Sequence, residues 1–315
     1  YNVAIGHDAG KFVSTGVQNT LVGGLSGDAL TTGEQNTAIG YAALSGETAG
    51  DRNVAIGTYA LFTQNNTSNA DVYNVAIGYQ AGTLVSTGAN NVLVGGQVGE
   101  ALTDGANNVV IGRAALGSAQ SDSNNVAVGY TALGTQNGAG TSYNTAVGHA
   151  AGTGVTTGAQ NTIVGGLAAD AITTGADNVV MGYQAMTAAN STESRNVAIG
   201  AFALDSLDNG STTNTYNTAV GYGSAAAVDT GIQNTILGAG AGDAITSGSD
   251  NIVIGFGAAA SAVDVSNEVS IFNGTKTARF QGSETAWSFV SDARDKSDVE
   301  DLELGTEFIN KLKPR

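Results

Sequence analysis

Two sets of side chains along this chain have the chemistry to bind a metal ion. His7, Tyr79, His149 and Tyr222 occupy the same position of an internal repeat, immediately after a Gly. Arranged around a symmetry axis, His residues at such a position would form a ring that binds a metal or senses pH. Because Tyr replaces His at two of the four positions, we interpret the set as a surface contact.

The second set is acidic. Asp28, Glu100, Asp170 and Asp243 share another position of the repeat, where carboxylates and nearby carbonyl oxygens would suit Ca²⁺. The calcium-binding nonapeptide of β-rolls is absent. We therefore interpret these acids as solvated corner residues, and the sequence predicts no metal and no cofactor.

Composition argues against several other functions. The chain has no Cys, which excludes a disulfide framework and a thiolate metal site. Residues 1–266 hold 18 acidic residues and only four basic ones, so the surface should repel nucleic acid and anionic membranes. No run of about 18 apolar residues predicts membrane insertion. No catalytic constellation for a turnover enzyme, such as paired acids in a cleft, is recognisable in the repeats.

A short recurring word positions these side chains: Asn, then three apolar or Thr residues, then Gly. It reads NVAIG at 2–6 and NTLVG at 19–23. Most successive Asn residues are 17 positions apart, and self-similarity at a fixed short period indicates a solenoid. We call each repeat a rung. The Asn residues are Asn2, Asn19, Asn36, Asn53, Asn74, Asn91, Asn108, Asn125, Asn144, Asn161, Asn178, Asn196, Asn217, Asn234 and Asn251.

A longer connection follows every fourth rung, so the chain consists of four-rung cassettes. Each cassette begins with a Tyr directly before its first Asn. These residues are Tyr1, Tyr73, Tyr143 and Tyr216. The predicted shaft covers 1–273, with cassettes at 1–72, 73–142, 143–215 and 216–273.

A rung of this length has room for two short strands and two turns but shows no helical period. The strand word alternates its side chains between two faces, and both faces are apolar or small. The sequence predicts an all-β fold, a parallel β-solenoid about 75 Å long. Each Asn, stacked on the next at one corner, is expected to hydrogen-bond along the shaft as a structural ladder.

So small a rung leaves one apolar face of a single chain uncovered, which predicts association. In this respect residues 1–273 resemble the left-handed β-roll heads of trimeric autotransporter adhesins and the similar repeats of phage tail fibres. The resemblance implies a left-handed β-roll and a homotrimer whose three chains bury that face around a common axis.

The last part of the chain differs in kind. Residues 274–290 contain two alternating segments, predicted to form a β neck or cap. Residues 291–315 are rich in charge, and 305–312 are predicted to form a short amphipathic α-helix. The run of Ser291, Asp292, Arg294 and Lys296, followed by acids and by Pro314, resembles the start of the endosialidase-type intramolecular chaperone family (peptidase S74-like).

That resemblance implies a chaperone that helps three chains fold and then cuts itself off. It assigns Ser291 as the nucleophile and Lys296 as the base. A desolvated, neutral Lys can accept the Ser proton, and the cut falls at the Val290–Ser291 bond. The reaction is a single-turnover maturation.

The long connections between cassettes differ from one another and are rich in Asn, Ser and Thr. Such loops on a rigid scaffold suit glycan hydroxyls, and Tyr73, Tyr143 and Tyr216 could stack on sugars. A decorated spacer is the alternative.

We expect a structural, receptor-binding segment of a phage tail fibre or similar appendage, located on a virion or another extracellular surface. Its expected partners are its own copies, a host cell-surface glycan or protein receptor, and other virion proteins through residues upstream of this sequence. A bacterial trimeric surface adhesin is the first alternative. A glycan-degrading tail spike and a flat Thr-bearing face that binds ice are weaker ones.

Overall fold

The chain forms a parallel β-solenoid in a computed structural model, which describes residues 1–282 except 69, 139, 189–191 and 211–213, together with the backbone of 288–289. Each Asn is followed by a three-residue strand that pairs, parallel and in register, with the strand of the next rung. The strands are β1 (Val3–Ile5), β2 (Thr20–Val22), β3 (Thr37–Ile39), β4 (Val54–Ile56), β5 (Val75–Ile77), β6 (Val92–Val94), β7 (Val109–Ile111), β8 (Val126–Val128), β9 (Thr145–Val147), β10 (Thr162–Val164), β11 (Val179–Met181), β12 (Val197–Ile199), β13 (Thr218–Val220), β14 (Thr235–Leu237) and β15 (Ile252–Ile254).

The stack ends in a reversal of direction. Strand β16 (Glu268–Phe272) still pairs parallel with β15, as a sixteenth rung. Strand β17 (Thr277–Gln281) returns antiparallel along β16, and β18 (Ser288–Phe289) pairs antiparallel with β17. The α-helix predicted at 305–312 lies outside the described residues.

Each rung contains one strand, so the prediction of two strands per rung was wrong. The reason is that the rest of the rung alternates ordinary and left-handed backbone: in the third rung, Ala42 has φ 51° and Leu44 has φ 54°. This alternation curls the chain too tightly for an extended segment. Neighbouring turns are nevertheless hydrogen-bonded, as where the amide of Leu44 donates to the carbonyl of Ala60 at 3.0 Å.

The Gly that ends each word has a backbone reason. Gly40 has φ 137°, a region that essentially only Gly adopts, and a Cβ there would lie 2.6 Å from the carbonyl carbon of Gly57. The same close approach repeats up the stack, so the word must end in Gly.

The core residues differ between neighbouring rungs of a cassette. In the second rung the inward strand residue is Leu21, and a Cβ on Gly27 would lie 2.8 Å from its Cδ2. In the third rung the strand carries Ala38, and the place of Gly27 is taken by Leu44; both are fully buried. Large and small residues thus exchange positions between rungs, as a close-packed interior requires.

Candidate functional site

The Asn side chains form a hydrogen-bonded ladder through the solenoid. Oδ1 of each Asn accepts from the backbone amide of the Asn one rung later, at 2.9–3.2 Å. In most rungs Nδ2 donates across the same rung, as from Asn91 to the Gly105 carbonyl at 2.9 Å. Asn supplies both an acceptor and donors, which Asp cannot do. The buried ladder ties consecutive rungs together.

The outward side of the strands is an apolar face. The middle residue of each strand from β2 to β15 is buried, while the first and third point outward. These outward residues are partly exposed or exposed, and the most exposed apolar ones run from 37% at Val147 to 47% at Leu237. We call this surface the strand face. Nothing within the single chain covers it over the described length of the shaft.

The three Tyr residues predicted as receptor contacts lie along one edge of the strand face. Tyr73, Tyr143 and Tyr216 each precede a rung Asn and have left-handed backbone, with φ of 52–54°. The guanidinium groups of Arg52 and Arg195 lie over two of the rings, Tyr73 and Tyr216 respectively, at 5.7 Å and 5.6 Å from the ring centroids. Tyr143 is the most exposed of the three, at 61%.

The opposite edge of the strand face carries an aromatic stripe, defined by the residue after each rung Gly and the residue that follows it. Tyr183, Phe202 and Tyr222 contact edge to face, with ring centroids 5.7–5.8 Å apart. Tyr130 and His149 stack at 5.4 Å. His7, His149, Tyr79 and Tyr222, the residues considered above as metal ligands, all belong to this exposed stripe.

The long connections fold over buried carboxylates, which sequence reasoning missed. Glu47 is fully buried. Its Oε1 accepts from the backbone amides of Thr48, Ala49, Gly50 and Asn66 at 2.7–3.1 Å. Its Oε2 accepts from the side-chain amides of Gln64, at 2.9 Å, and Asn66, at 3.3 Å. Converging N–H groups stabilise an anion, so this arrangement is the reverse of a cation site.

Asp122 fills the same role under the second long connection. Its Oδ1 accepts from Gln136 Nε2 at 3.1 Å, the Gly138 amide at 2.9 Å and Ser142 Oγ at 2.9 Å. Glu193 under the third accepts from the amides of Thr192 and Asn209. The only sequence signal is an acid between the third and fourth strands of each of these three cassettes. These contacts hold the described residues of the connections that make them against the shaft.

The acids considered as calcium ligands are not brought together. Asp28 and Glu100 lie four rungs apart, about 19 Å along the stack. Burial raises the pKa of Asp170, but no second acid of its set is near. Among the described residues, no group of three or more His, Cys, Asp or Glu side chains could hold a metal ion. No helix in the described ranges is long and apolar enough to cross a membrane.

The residues assigned by resemblance to self-cleavage, Ser291, Lys296 and the Val290–Ser291 bond, lie outside the described residues, as does the whole segment 291–315. Within the described cap, Glu268 is fully buried and pairs with Arg279 at 3.3 Å.

Comparison with known proteins adds no family. No protein-family model matches the chain, and a search of curated proteins finds no matching relative. The architecture of a parallel β-solenoid with rungs of about 17 residues therefore stands on the sequence and the structure alone.

Proposed function

We propose that the chain is the shaft of a homotrimeric surface fibre of the phage tail-fibre type, which projects a host-contacting tip. The observation that carries this proposal is the strand face. Two β-branched or other apolar side chains per rung point outward through fifteen rungs. A stripe of that length on a lone chain favours burial against other copies.

Three chains around one axis would bury all three strand faces at once. The left-handed β-roll belongs to the same proposal. The acidic shaft and its hydrogen-bonded ladder suit a stiff, soluble spacer, because stability accumulates from rung to rung. A bacterial surface adhesin would use the same physics and is the second candidate. Its distinguishing feature would be a membrane anchor in the complete gene, in place of a virion-attachment domain.

Oligomeric state is the first test. Native mass spectrometry of the chain should give a mass of three copies of 31.2 kDa. A stable monomer at micromolar concentration would overturn the shaft proposal, since the strand face would then be tolerated in water.

Receptor binding is the second part of the proposal and is tested on the long connections. Glycan-array and whole-cell binding should fall when segments 67–70, 139–141 and 210–214 are replaced by Gly-Ser. Replacing the exposed turn 273–276 is the control, because it changes a similar polar surface away from the connections. Binding that survives replacement of the three segments would show that the connections do not bind the receptor. Release of sugar from a capsule polysaccharide would instead revive the tail-spike alternative.

The chaperone assignment has its own experiment. In a fusion that continues residue 315 into a chaperone domain of this family, the parent sequence should yield a fragment ending at Val290, and Ser291→Ala should stay uncut. Lys296→Met should also stay uncut, because it removes the base. Cleavage of the Ser291→Ala variant would refute the assigned nucleophile.

A further inference from the structure

In one rung of each cassette the residue after the rung Gly is Gly or Ala, and no aromatic residue follows it. In the third cassette the residues after successive rung Gly positions are His149, Gly166 and Tyr183. We call such a triplet a notch: a small floor, open within the chain, between two larger side chains one rung below and one rung above. Ala201 is not a floor of this kind, because the ring of Phe202 beside it contacts both Tyr183 and Tyr222. The other notches are His7–Gly24–Tyr41, Tyr79–Gly96–Arg113 and Tyr222–Ala239–Phe256.

The fold does not need Gly on the floor of a notch. Gly95, which ends the strand word, has φ 143°, and a Cβ there would lie 2.7 Å from the Gly112 carbonyl oxygen. Gly96, the next residue, has no left-handed φ, and a Cβ on it would meet nothing within 4 Å. On Gly166 the nearest atom would be a ring carbon of Tyr183 at 3.6 Å, an ordinary contact. A Cβ on these floors would therefore fit an isolated chain, so the choice of Gly points to an occupant from outside it.

The spacing of the notches identifies the occupant. They recur once per cassette, which is four rungs or about 19 Å. A partner that fills several of them needs the same period, and a second copy of this chain has it. The exposed aromatic side chains with that period on the opposite edge of the strand face are Tyr73, Tyr143 and Tyr216. In a cyclic assembly the contacts are heterologous, so one edge of each strand face meets the opposite edge of its neighbour.

We propose that the notch His149–Gly166–Tyr183 receives Tyr143 of a neighbouring copy, and that the Tyr residues opening the other cassettes fill the equivalent notches. This inference rests on the proposed trimer. A Tyr ring that lies on the floor, between the two side chains that flank it, makes stacked or edge-to-face contacts with them. In the second cassette, Arg113 supplies a cation for the ring of Tyr73.

This arrangement sets the height of one chain against the next. Parallel strand faces of repeating Val, Thr and Ile side chains pack almost equally well after a slip of one rung, so they specify register weakly. A slipped Tyr would meet Tyr183 or His149 instead of a Gly floor. The notches therefore lock the three chains in one axial alignment.

Photo-crosslinking tests the contact in the full chain. p-Benzoylphenylalanine in place of Tyr143 should crosslink, between copies, to the peptide that contains Gly166. p-Benzoylphenylalanine in place of Gln160, which lies on the same edge one rung later, should not crosslink to that peptide. A wild-type trimer whose crosslinks at 143 avoid the notch would overturn the proposal.

Filling the floor gives an independent measurement. Gly166→Trp should raise the concentration at which the trimer dissociates at least about tenfold, as overpacking does. Thr87→Trp places a similar bulk at an exposed turn, outside any notch and outside the long connections, and should leave dissociation unchanged. Circular dichroism should show the solenoid intact in both variants.

The outcomes separate the two proposals. A wild-type monomer overturns the shaft and the notch contact together. An unchanged trimer with Gly166→Trp overturns only the notch contact. If Gly166→Trp abolishes glycan binding and leaves the trimer unchanged, the notch is a ligand site, and the proposed contact between copies is overturned.

Discussion

Replacing Glu47 by Gln should loosen the first long connection without unfolding the shaft. The substitution keeps the shape of the side chain and turns one carboxylate oxygen into an NH₂ group. Every hydrogen bond recorded at Glu47 in the described part of the chain comes from an N–H donor: four backbone amides and the side chains of Gln64 and Asn66. An NH₂ group has no acceptor to meet in that shell.

The magnitude follows from the number of donors left unpaired. If the new NH₂ replaces Oε1, it faces the four backbone amides. If it replaces Oε2, Gln64 must turn its amide, and its Oε1 then no longer accepts from Asn74 Nδ2, now 2.8 Å away. The first choice would leave four amide donors without their acceptor, so the second should prevail; it leaves the side-chain amides of Asn66 and Asn74 each short of an acceptor, at about 1–3 kcal/mol each. We expect a local loss of about 2–5 kcal/mol, because the charge-assisted bonds also weaken.

Hydrogen–deuterium exchange by mass spectrometry is the suitable assay, since repeat proteins can open locally. Exchange of the amides of Thr48, Gly50 and Asn66 should accelerate roughly thirtyfold or more, which corresponds to a loss of about 2 kcal/mol or more. Glu100→Gln makes the same change of charge at a partly exposed position and should leave exchange in that region unchanged. Wild-type protection in Glu47→Gln would refute the role of the carboxylate as the acceptor that holds the connection.

Three other changes test the ladder, the cassette and a buried acid. Asn108→Asp places a carboxylate against the Asp122 carbonyl and Asn91 Oδ1, so the free energy of unfolding in denaturant should fall by roughly 2–4 kcal/mol. Asn107→Asp on the surface is the control and should change stability little. Equal losses in the two variants would refute the ladder. Deleting residues 73–142 removes one complete cassette and should leave a folded shaft about 19 Å shorter by small-angle scattering, whereas a collapsed or aggregated product would refute modular stacking. Burial raises the pKa of Asp205 above its ordinary value of 3.8. The folded state therefore binds this proton more tightly than the unfolded state, and the group lowers stability as pH rises from that value through the folded pKa. Asp205→Asn should raise stability at pH 7 and flatten the pH dependence in that window, and an unchanged pH profile would contradict this.

Much of the fold was predictable because it depends on local words repeated in register. Asn, an alternating strand triplet and Gly are contiguous in sequence, and their period predicts both the parallel pairing and the stacked Asn residues. The number of strands per rung was not predictable in the same way. It depends on left-handed backbone at residues such as Ala42 and Leu44, whose types do not favour that conformation.

The sequence by itself determined the period, the four-rung cassettes and the position of every strand from β1 to β15, because each rung repeats the same local chemistry. Only the tertiary structure decided which like residues differ in role. Glu47 is fully buried while Glu34 is partly exposed, since the donors to Glu47 include residues 17 and 19 positions later, in the overlying connection. Gly95 and Gly96 are adjacent and identical in sequence. The first is required by the carbonyl of the next rung, whereas the second borders open space, and that difference exists only once the rungs are stacked.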